Sequence, residues 1–69
     1  MNRIPVTSTN IAEVGYEEET ATLEVVFHHG GAYQYFDVPE IVYRELMSAE
    51  SKGSYLNHFI RNFYRSARL

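Results

Sequence analysis

An alternation of apolar and other side chains in the middle of the chain, ended by a pair of glycines, is its strongest structural signal. Leu23, Val25 and Phe27 occupy every second position, which is the period of a strand with one buried face. The sequence His-His-Gly-Gly at 28–31 ends this run, and paired glycines can adopt the positive φ that a hairpin turn requires. The pattern predicts a β-hairpin whose strands cover residues 23–27 and 32–38.

A third extended segment, residues 11–16, precedes the hairpin. The intervening stretch, 17–20, holds three consecutive glutamates and a threonine, and their mutual repulsion suits a solvated turn better than a strand. All connections are too short for the crossover of a dozen or more residues that parallel strands need. We therefore expect a three-stranded antiparallel meander.

Two helices are predicted after the meander. Asp37 is suited to cap the first helix, Pro39 belongs in its first turn, and helical spacing of apolar residues continues to about Glu50. Ser51 or Ser54 then caps a second helix, which we expect to reach the end of the chain. Its core-facing stripe is expected to be Leu56, Phe59, Ile60 and Phe63. The predicted fold is α+β, in the order β-β-β-α-α, with both helices on one face of the sheet.

Length and composition limit the class of protein. The 69 residues form one predicted domain, 1–69, and a chain this short buries only roughly 60% of its unfolded surface, so its six tyrosines and four phenylalanines should supply much of the core. Cysteine is absent, which excludes a disulfide and fits a reducing compartment. No segment has the pattern of a signal peptide or a membrane span. We expect a cytoplasmic protein with no membrane partner.

Basic residues are concentrated at one end of an acidic chain. The formal net charge is −3, yet four of the six Lys and Arg residues lie within 51–69, a segment that holds no acid. Aromatic rings interleaved with cations suit contact with a phosphodiester strand. Arg61, Arg65 and Arg68 are expected along one side of the second helix, where each guanidinium can contact a phosphate. The candidate nucleic-acid-binding residues are Lys52, His58, Arg61, Tyr64, Arg65 and Arg68.

Two tyrosines in the third predicted strand allow two interpretations. Tyr33 and Tyr35 are two residues apart, so they share one face of the sheet. On an open face they would stack bases, together with Tyr55, as aromatic residues of some RNA-binding sheets do. On a face covered by the helices they would instead belong to the core.

The remaining polar residues predict neither a metal site nor catalysis. His28 and His29 are adjacent and point apart on an extended backbone, while His58 is distant in sequence, so no set of metal ligands is indicated. No nucleophile–base arrangement, phosphate-binding glycine loop or pair of carboxylates suited to a cleft is visible. We expect a protein that is not an enzyme and needs no cofactor.

A series of residues in a fixed order runs through nearly the whole chain. It comprises Ser8, Asn10-Ile11, Tyr33-Gln34-Tyr35, Val38-Pro39, Tyr43, Leu46, Ala49, Ser51, Gly53, Tyr55, Asn57, Arg61 and Tyr64. This series resembles the KTSC domain family, a small domain found at the C-terminus of some lysyl-tRNA synthetases and as stand-alone proteins of bacteria and phages. The resemblance implies no catalytic residues and no established activity, and the function usually suggested for the family is RNA binding.

The sequence thus favours a non-catalytic binding module whose basic C-terminal helix contacts RNA. Two alternatives stay open from the residues alone. The surplus aromatic residues and an exposed strand edge could serve self-association or docking on another protein. The basic helix could also bind a small anionic ligand such as a nucleotide.

Overall fold

The computed structural model describes all residues from Met1 to Leu69 as one antiparallel sheet with two short helices. The strands, in their spatial order, are β1 (Arg3–Pro5), β2 (Ile11–Glu17), β3 (Thr22–Phe27), β4 (Ala32–Tyr35) and β5 (Ser66–Arg68). The helices lie between β4 and β5 in sequence and are α1 (Glu40–Ser48) and α2 (Lys52–Tyr55), the latter continued by one π-helical turn over Leu56–Ile60. The fold is α+β.

The predicted three-stranded meander is wrong, because the sheet has an additional strand at each edge. β1 pairs with β2, with Ile4 opposite Val14, and β5 pairs with β4, with Ala67 opposite Gln34. Both strands have three residues, too few to show a period of two, and Pro5 is tolerated in β1 because an edge strand needs fewer donors. β4 also ends at Tyr35, earlier than expected.

Two of the predicted turns and caps are confirmed by the structure, and one is wrong. Gly30 and Gly31 have φ of 90° and 114°, as the predicted hairpin turn requires. Ser51 caps α2, since its side-chain oxygen accepts the N–H of Ser54 at 3.3 Å. Asp37 does not cap α1, because its own φ is 57° and the capping position is taken by Pro39, which makes no side-chain hydrogen bond there.

One face of the sheet, the covered face, packs against both helices and forms the core. The Tyr16 hydroxyl donates to the carbonyl of Val38 at 2.6 Å, and its ring stacks on Tyr43 at 4.8 Å, which holds α1 against the sheet. The buried apolar residues are Ile11, Val14, Leu23, Val25, Tyr35, Val38, Leu46, Leu56 and Ile60.

The opposite face of the sheet, the outer face, carries a polar row instead. Arg3, Gly15, Glu24 and Gln34 are successive neighbours across β1 to β4. The Glu24 side chain accepts from the Arg3 Nε and from the Gln34 amide, the latter at 2.9 Å, although Glu24 is only 6% exposed. A buried carboxylate is therefore satisfied by donors from the strand beside it and from the edge strand.

The second helix is shorter than predicted, and two phenylalanines assigned to the core lie outside it. The Arg61 N–H donates to the Leu56 carbonyl at 2.8 Å, a bond across five residues that marks the π-helical turn, and the chain then turns toward β5. Leu56 and Ile60 remain buried, but Phe59 is 58% and Phe63 is 72% exposed. None of the helices combines the length and apolar character of a membrane-spanning segment.

Candidate nucleic-acid interface

A cleft opens where the β3–β4 hairpin meets the end of α2, and we name it the Tyr33 cleft. Its volume is about 350 Å³. The lining is mixed: the hairpin supplies aromatic rings, the segment that follows α2 supplies Leu56 and polar side chains, and no acidic residue is present. The lining residues are Phe27, His29, Tyr33, Tyr35, Leu56, Asn57, Arg61, Asn62 and Ser66.

Strand register builds the aromatic wall of the cleft. Tyr33 lies opposite Val25, so Phe27 is its diagonal neighbour on the same face, and the two rings meet edge to face at 5.7 Å. His29, in the hairpin turn, stacks on Phe27 with ring centroids 5.4 Å apart and planes within 12°. Three rings from one hairpin thus form a continuous surface.

Tyr33 and Tyr35 share the covered face, but their environments differ. Tyr35 is buried, at 4% exposure, whereas Tyr33 is half-buried and borders the cleft. Burial raises the pKa of Tyr35, and the positive charge of Arg61 acts in the opposite direction. Tyr35 is therefore a core residue as well as the floor of the cleft, and only Tyr33 offers ring surface for stacking.

Strand β5 brings a cation to the cleft. Residues directly opposite in an antiparallel pair lie on the same face, so the pairing of Tyr33 with Arg68 and of Tyr35 with Ser66 directs both β5 side chains to the covered face. The Arg68 guanidinium carbon lies over the Tyr33 ring, 5.7 Å from its centroid. This is a cation–π contact at the rim of the cleft.

Ion pairing separates the basic residues into two groups. The three salt bridges join Arg3 to Glu24, Arg44 to Glu40 and Arg65 to Asp37. None of them includes Arg61 or Arg68, which are the two arginines at the Tyr33 cleft. The site therefore combines aromatic surface with two guanidinium groups outside any salt bridge, that of Arg61 in the lining of the cleft and that of Arg68 over the Tyr33 ring.

The arginine stripe predicted for the second helix does not exist. Of its three members only Arg61 follows the helix directly, while Arg65 immediately precedes β5 and Arg68 ends it. Arg65 lies 3.1 Å from the Asp37 carboxylate and 5.6 Å from the Phe36 ring centroid. The prediction failed because the helix ends at Ile60, so helical spacing no longer applies beyond it.

The other predicted binding residues lie outside the cleft. The Lys52 ammonium donates to the Ala49 carbonyl at 3.2 Å and lines a separate polar groove with the hydroxyls of 7–9. The His58 ring nitrogen Nδ1 is 2.8 Å from the Ser54 carbonyl oxygen. Tyr64 packs against the core. The structure thus gathers Tyr33, Tyr35, Arg61 and Arg68 at one site and leaves the rest dispersed.

Six lining residues of the cleft are not among the binding residues predicted from the sequence. Phe27 belongs to the predicted alternating strand, His29 to the segment that ends it and Leu56 to the predicted core stripe, and none of these patterns points to a cleft. Asn57, Asn62 and Ser66 flank the predicted basic residues. Asn62, directly after Arg61, is the one local hint, because an amide next to an arginine adds both a donor and an acceptor.

A second, apolar groove lies between α1 and α2 and has a volume of about 590 Å³. Ile41 is 61% exposed in it, and the Tyr55 and Phe59 rings meet at 4.9 Å. The Tyr55 hydroxyl donates to Glu45 at 2.7 Å, and burial together with this bond raises the pKa of Tyr55 to about 12. Tyr55 thus belongs to the helix pair rather than to the predicted stacking surface at Tyr33 and Tyr35.

No three His, Asp or Glu side chains come close enough together to hold a metal ion.

Comparison with protein-family models matches residues 7–64 to the KTSC domain. The chain is 39% identical over 59 residues to a lysine–tRNA ligase of Nostoc punctiforme, an alignment that covers 86% of this chain but 10% of the ligase. It is 34% identical to a protein of Tsukamurella paurometabola, with 94% of this chain and 97% of that protein aligned. The chain thus spans about a tenth of the tRNA ligases and nearly all of the smaller relative.

A solved structure has the same fold. The crystal structure of a KTSC domain protein from Yersinia pestis superposes with a TM-score of 0.96 at 35% sequence identity, covering 99% of this chain and 96% of that one.

Proposed function

This chain belongs to the KTSC domain family, and from that premise we propose that it is a non-catalytic module that binds RNA at the Tyr33 cleft. One observation carries the proposal: the two arginines outside every salt bridge, Arg61 and Arg68, converge on a cleft walled by aromatic rings. The kinship with lysine–tRNA ligases supports RNA as the class of partner.

The cleft supplies the two kinds of contact that a single strand needs. Guanidinium groups bind phosphate through paired N–H donors, and the base faces stack on aromatic rings, an interaction worth about 1–3 kcal/mol per base. Asn57 and Asn62 add amide groups that can both donate to and accept from a base edge. Binding in this mode tolerates many sequences, because every base has a flat face to stack.

We propose no reaction at this site. The lining of the cleft contains one imidazole, that of His29, and no carboxylate, so the usual acid–base pair of a catalytic site is not present there. Binding itself should be weak and sensitive to salt, because the formal net charge of −3 opposes approach to a polyanion. Two phosphate contacts should lower the logarithm of the binding constant by about 1.4 for each tenfold rise in salt.

The test is a titration of a labelled single-stranded RNA against the wild type, Arg61→Glu and a matched control, Arg44→Glu. Both substitutions change the net charge equally, but Arg44 lies on α1 and pairs with Glu40. We expect Arg61→Glu to lose at least about tenfold in affinity while Arg44→Glu loses less than about threefold. An equal loss in both variants, or no binding by the wild type, would contradict the proposal.

A second candidate function, self-association, rests on the apolar groove between α1 and α2. Ile41 and Phe59 expose apolar surface there, and the rim carries one base and one acid, Arg44 and Glu45. A rim of this kind is self-complementary, since across a two-fold axis the base of each copy can face the acid of the other. We propose a second copy of this chain as the occupant.

Analytical ultracentrifugation of the wild type, Phe59→Ser and Phe63→Ser over a range of concentrations tests self-association through this groove. Phe63 is the matched control, because it is exposed as well but does not line the groove. We expect the wild type and Phe63→Ser to associate as concentration rises and Phe59→Ser to stay monomeric. A wild type that is monomeric at every concentration would exclude self-association through the groove.

A further inference from the structure

The Tyr33 ring is the part of the cleft best placed to hold a base, and in this structure a cation covers it. Phe27 meets Tyr33 edge to face at 5.7 Å and supports it from within the hairpin, while Arg68 lies over the ring. Strand pairing keeps Arg68 there, since Arg68 is opposite Tyr33 and the Leu69 N–H donates to the Ala32 carbonyl at 2.8 Å. A base that stacks on the ring face under Arg68 must displace this guanidinium.

The relative strength of the two contacts favours that exchange. A cation–π contact at an exposed site changes an equilibrium constant by a factor of about 2 to 5. Stacking of a base on an aromatic side chain changes it by a factor of about 5 to 150. Arg68 also has no carboxylate partner to hold it, so its displacement breaks no salt bridge.

The displaced guanidinium stays close to the site. Arg68 is anchored by β5 and can swing from the ring to the phosphate of the incoming nucleotide, and Arg61 borders the same cleft. The Arg68 guanidinium would thus cover the Tyr33 ring in the free protein and contact a phosphate in the RNA-bound protein. The cleft volume of about 350 Å³ is near the lower end of the usual size of small-ligand pockets, which suits one nucleotide.

We propose that the Tyr33 cleft takes a single unpaired nucleotide of an RNA strand, with its base replacing Arg68 on the Tyr33 ring and its phosphate held by Arg61 and Arg68. This inference rests on the proposed RNA-binding function and narrows it. A paired base is stacked within its own helix and cannot enter a cleft of this size, so duplex RNA is a poor ligand.

Two RNA hairpins that differ at one position provide the test. One carries 2-aminopurine, a fluorescent base, as a single unpaired bulge, and the other carries it within a fully paired stem. We expect the bulged hairpin to bind at least about tenfold more tightly, with its fluorescence quenched by stacking on Tyr33. Removing the base while keeping the sugar and phosphate should abolish this preference without any change to the protein.

Protein variants assign the effect to the two side chains. Tyr33→Leu should lose the quenching and the preference for the bulge, whereas Tyr55→Leu, at a half-buried tyrosine outside the cleft, should keep both. Arg68→Met should keep the quenching. In a plot of the logarithm of the binding constant against the logarithm of salt concentration, its slope should be shallower by about 0.7, the value for one lost phosphate contact to a single strand. The RNA without its base and Arg68→Met keep the inference testable if Tyr33→Leu does not fold.

The outcomes separate this inference from the function on which it rests. Equal affinity for the two hairpins, or an unpaired base whose fluorescence does not change, would overturn the single-nucleotide site and leave RNA binding standing. No binding to either hairpin would overturn both.

Discussion

The two edge strands, β1 and β5, are alike in length and exposure but differ in what their arginines contact. Arg3 of β1 reaches the buried Glu24 carboxylate on the outer face of the sheet. Arg68 of β5 lies over the Tyr33 ring on the covered face and pairs with no acid. One arginine satisfies a charge that the fold has buried, and the other leaves its charge available. The group that each arginine contacts, rather than the exposure of its strand, distinguishes the structural role of Arg3 from the proposed binding role of Arg68.

Removing Glu24, the acid of β3 that Arg3 of β1 contacts, should have the largest effect on stability. Glu24→Ala leaves Arg3 and Gln34 without their shared acceptor, which should lower the free energy of unfolding by about 1–3 kcal/mol. Urea denaturation followed by circular dichroism measures it, with Glu19→Ala in the exposed β2–β3 turn as the control. An equal, small loss in both variants would show that the contact of Arg3 with Glu24 does not hold β1.

A smaller loss is expected at Gly15 of β2, where the two residues that precede β1 lie close to the strand. A Cβ atom on Gly15 would lie 3.0 Å from the Asn2 carbonyl oxygen and 3.0 Å from the Met1 sulfur, so Gly15→Ala should push β1 away at a cost of about 1 kcal/mol. Hydrogen exchange at β1 should accelerate while exchange in β4 stays the same. A more stable variant with unchanged exchange would contradict this close approach.

Acid should weaken the β1 contact as well. The hydrogen bond from Gln34 and the hydrogen bond and charge of Arg3 lower the pKa of Glu24 below its ordinary value. A carboxyl with a lower pKa in the folded state stabilises the fold above its unfolded pKa, about 4.3, and this contribution is lost as pH falls through the folded value. Melting temperatures between about pH 6 and 3 should therefore fall more steeply for the wild type than for Glu24→Gln. Parallel curves would contradict a role for the ionised carboxylate.

The smallest effect on stability is expected at β5. Arg68→Ala removes an exposed cation–π contact and should change the free energy of unfolding by less than about 1 kcal/mol. The same substitution should weaken RNA binding about fivefold at moderate salt, through one lost phosphate contact. Stability and affinity are measured on one preparation. A large loss of stability with unchanged affinity would reverse the roles that we assign to the two edge strands.

The central strands could be predicted because the alternation of their side chains reflects which face of the sheet is buried. Leu23 and Val25 alternate with residues of the outer face, and the glycine pair at 30–31 marks the hairpin turn. The edge strands could not, since three residues show no period. Segment 66–68 has no strand pattern and forms β5 only because β4 offers a free edge for pairing.

The prediction of the helical region was wrong where the backbone geometry departs from that of an α-helix. Phe59 and Phe63 follow the spacing of an α-helix, but the π-helical turn at Leu56–Ile60 alters that spacing and the chain then leaves the helix. Asp37 has a residue type suited to a cap, yet it adopts a positive φ that connects β4 to α1. The exposure of the two phenylalanines and the conformation of Asp37 both depend on how the chain connects to the sheet. Helical periodicity gives no information about that connection.

Part of the candidate site could also be predicted. Composition selected Arg61 and Arg68, and the period of a strand placed Tyr33 and Tyr35 on one face. Their convergence depends on β5, which brings Arg68 back to the hairpin, and on ion pairing, which occupies Arg65 but not Arg61. Contacts of this kind join residues distant in sequence, so a pattern along the chain cannot indicate them.

The most direct test of the Tyr33 cleft is an amide chemical-shift map of the protein during titration with a single-stranded RNA. We expect the largest shifts at Tyr33, Arg61 and Arg68 and their neighbours in the cleft, with small shifts along β1 and α1. Shifts centred on the groove between α1 and α2, or spread evenly over the basic residues including Arg3 and Arg44, would contradict the cleft as the RNA site.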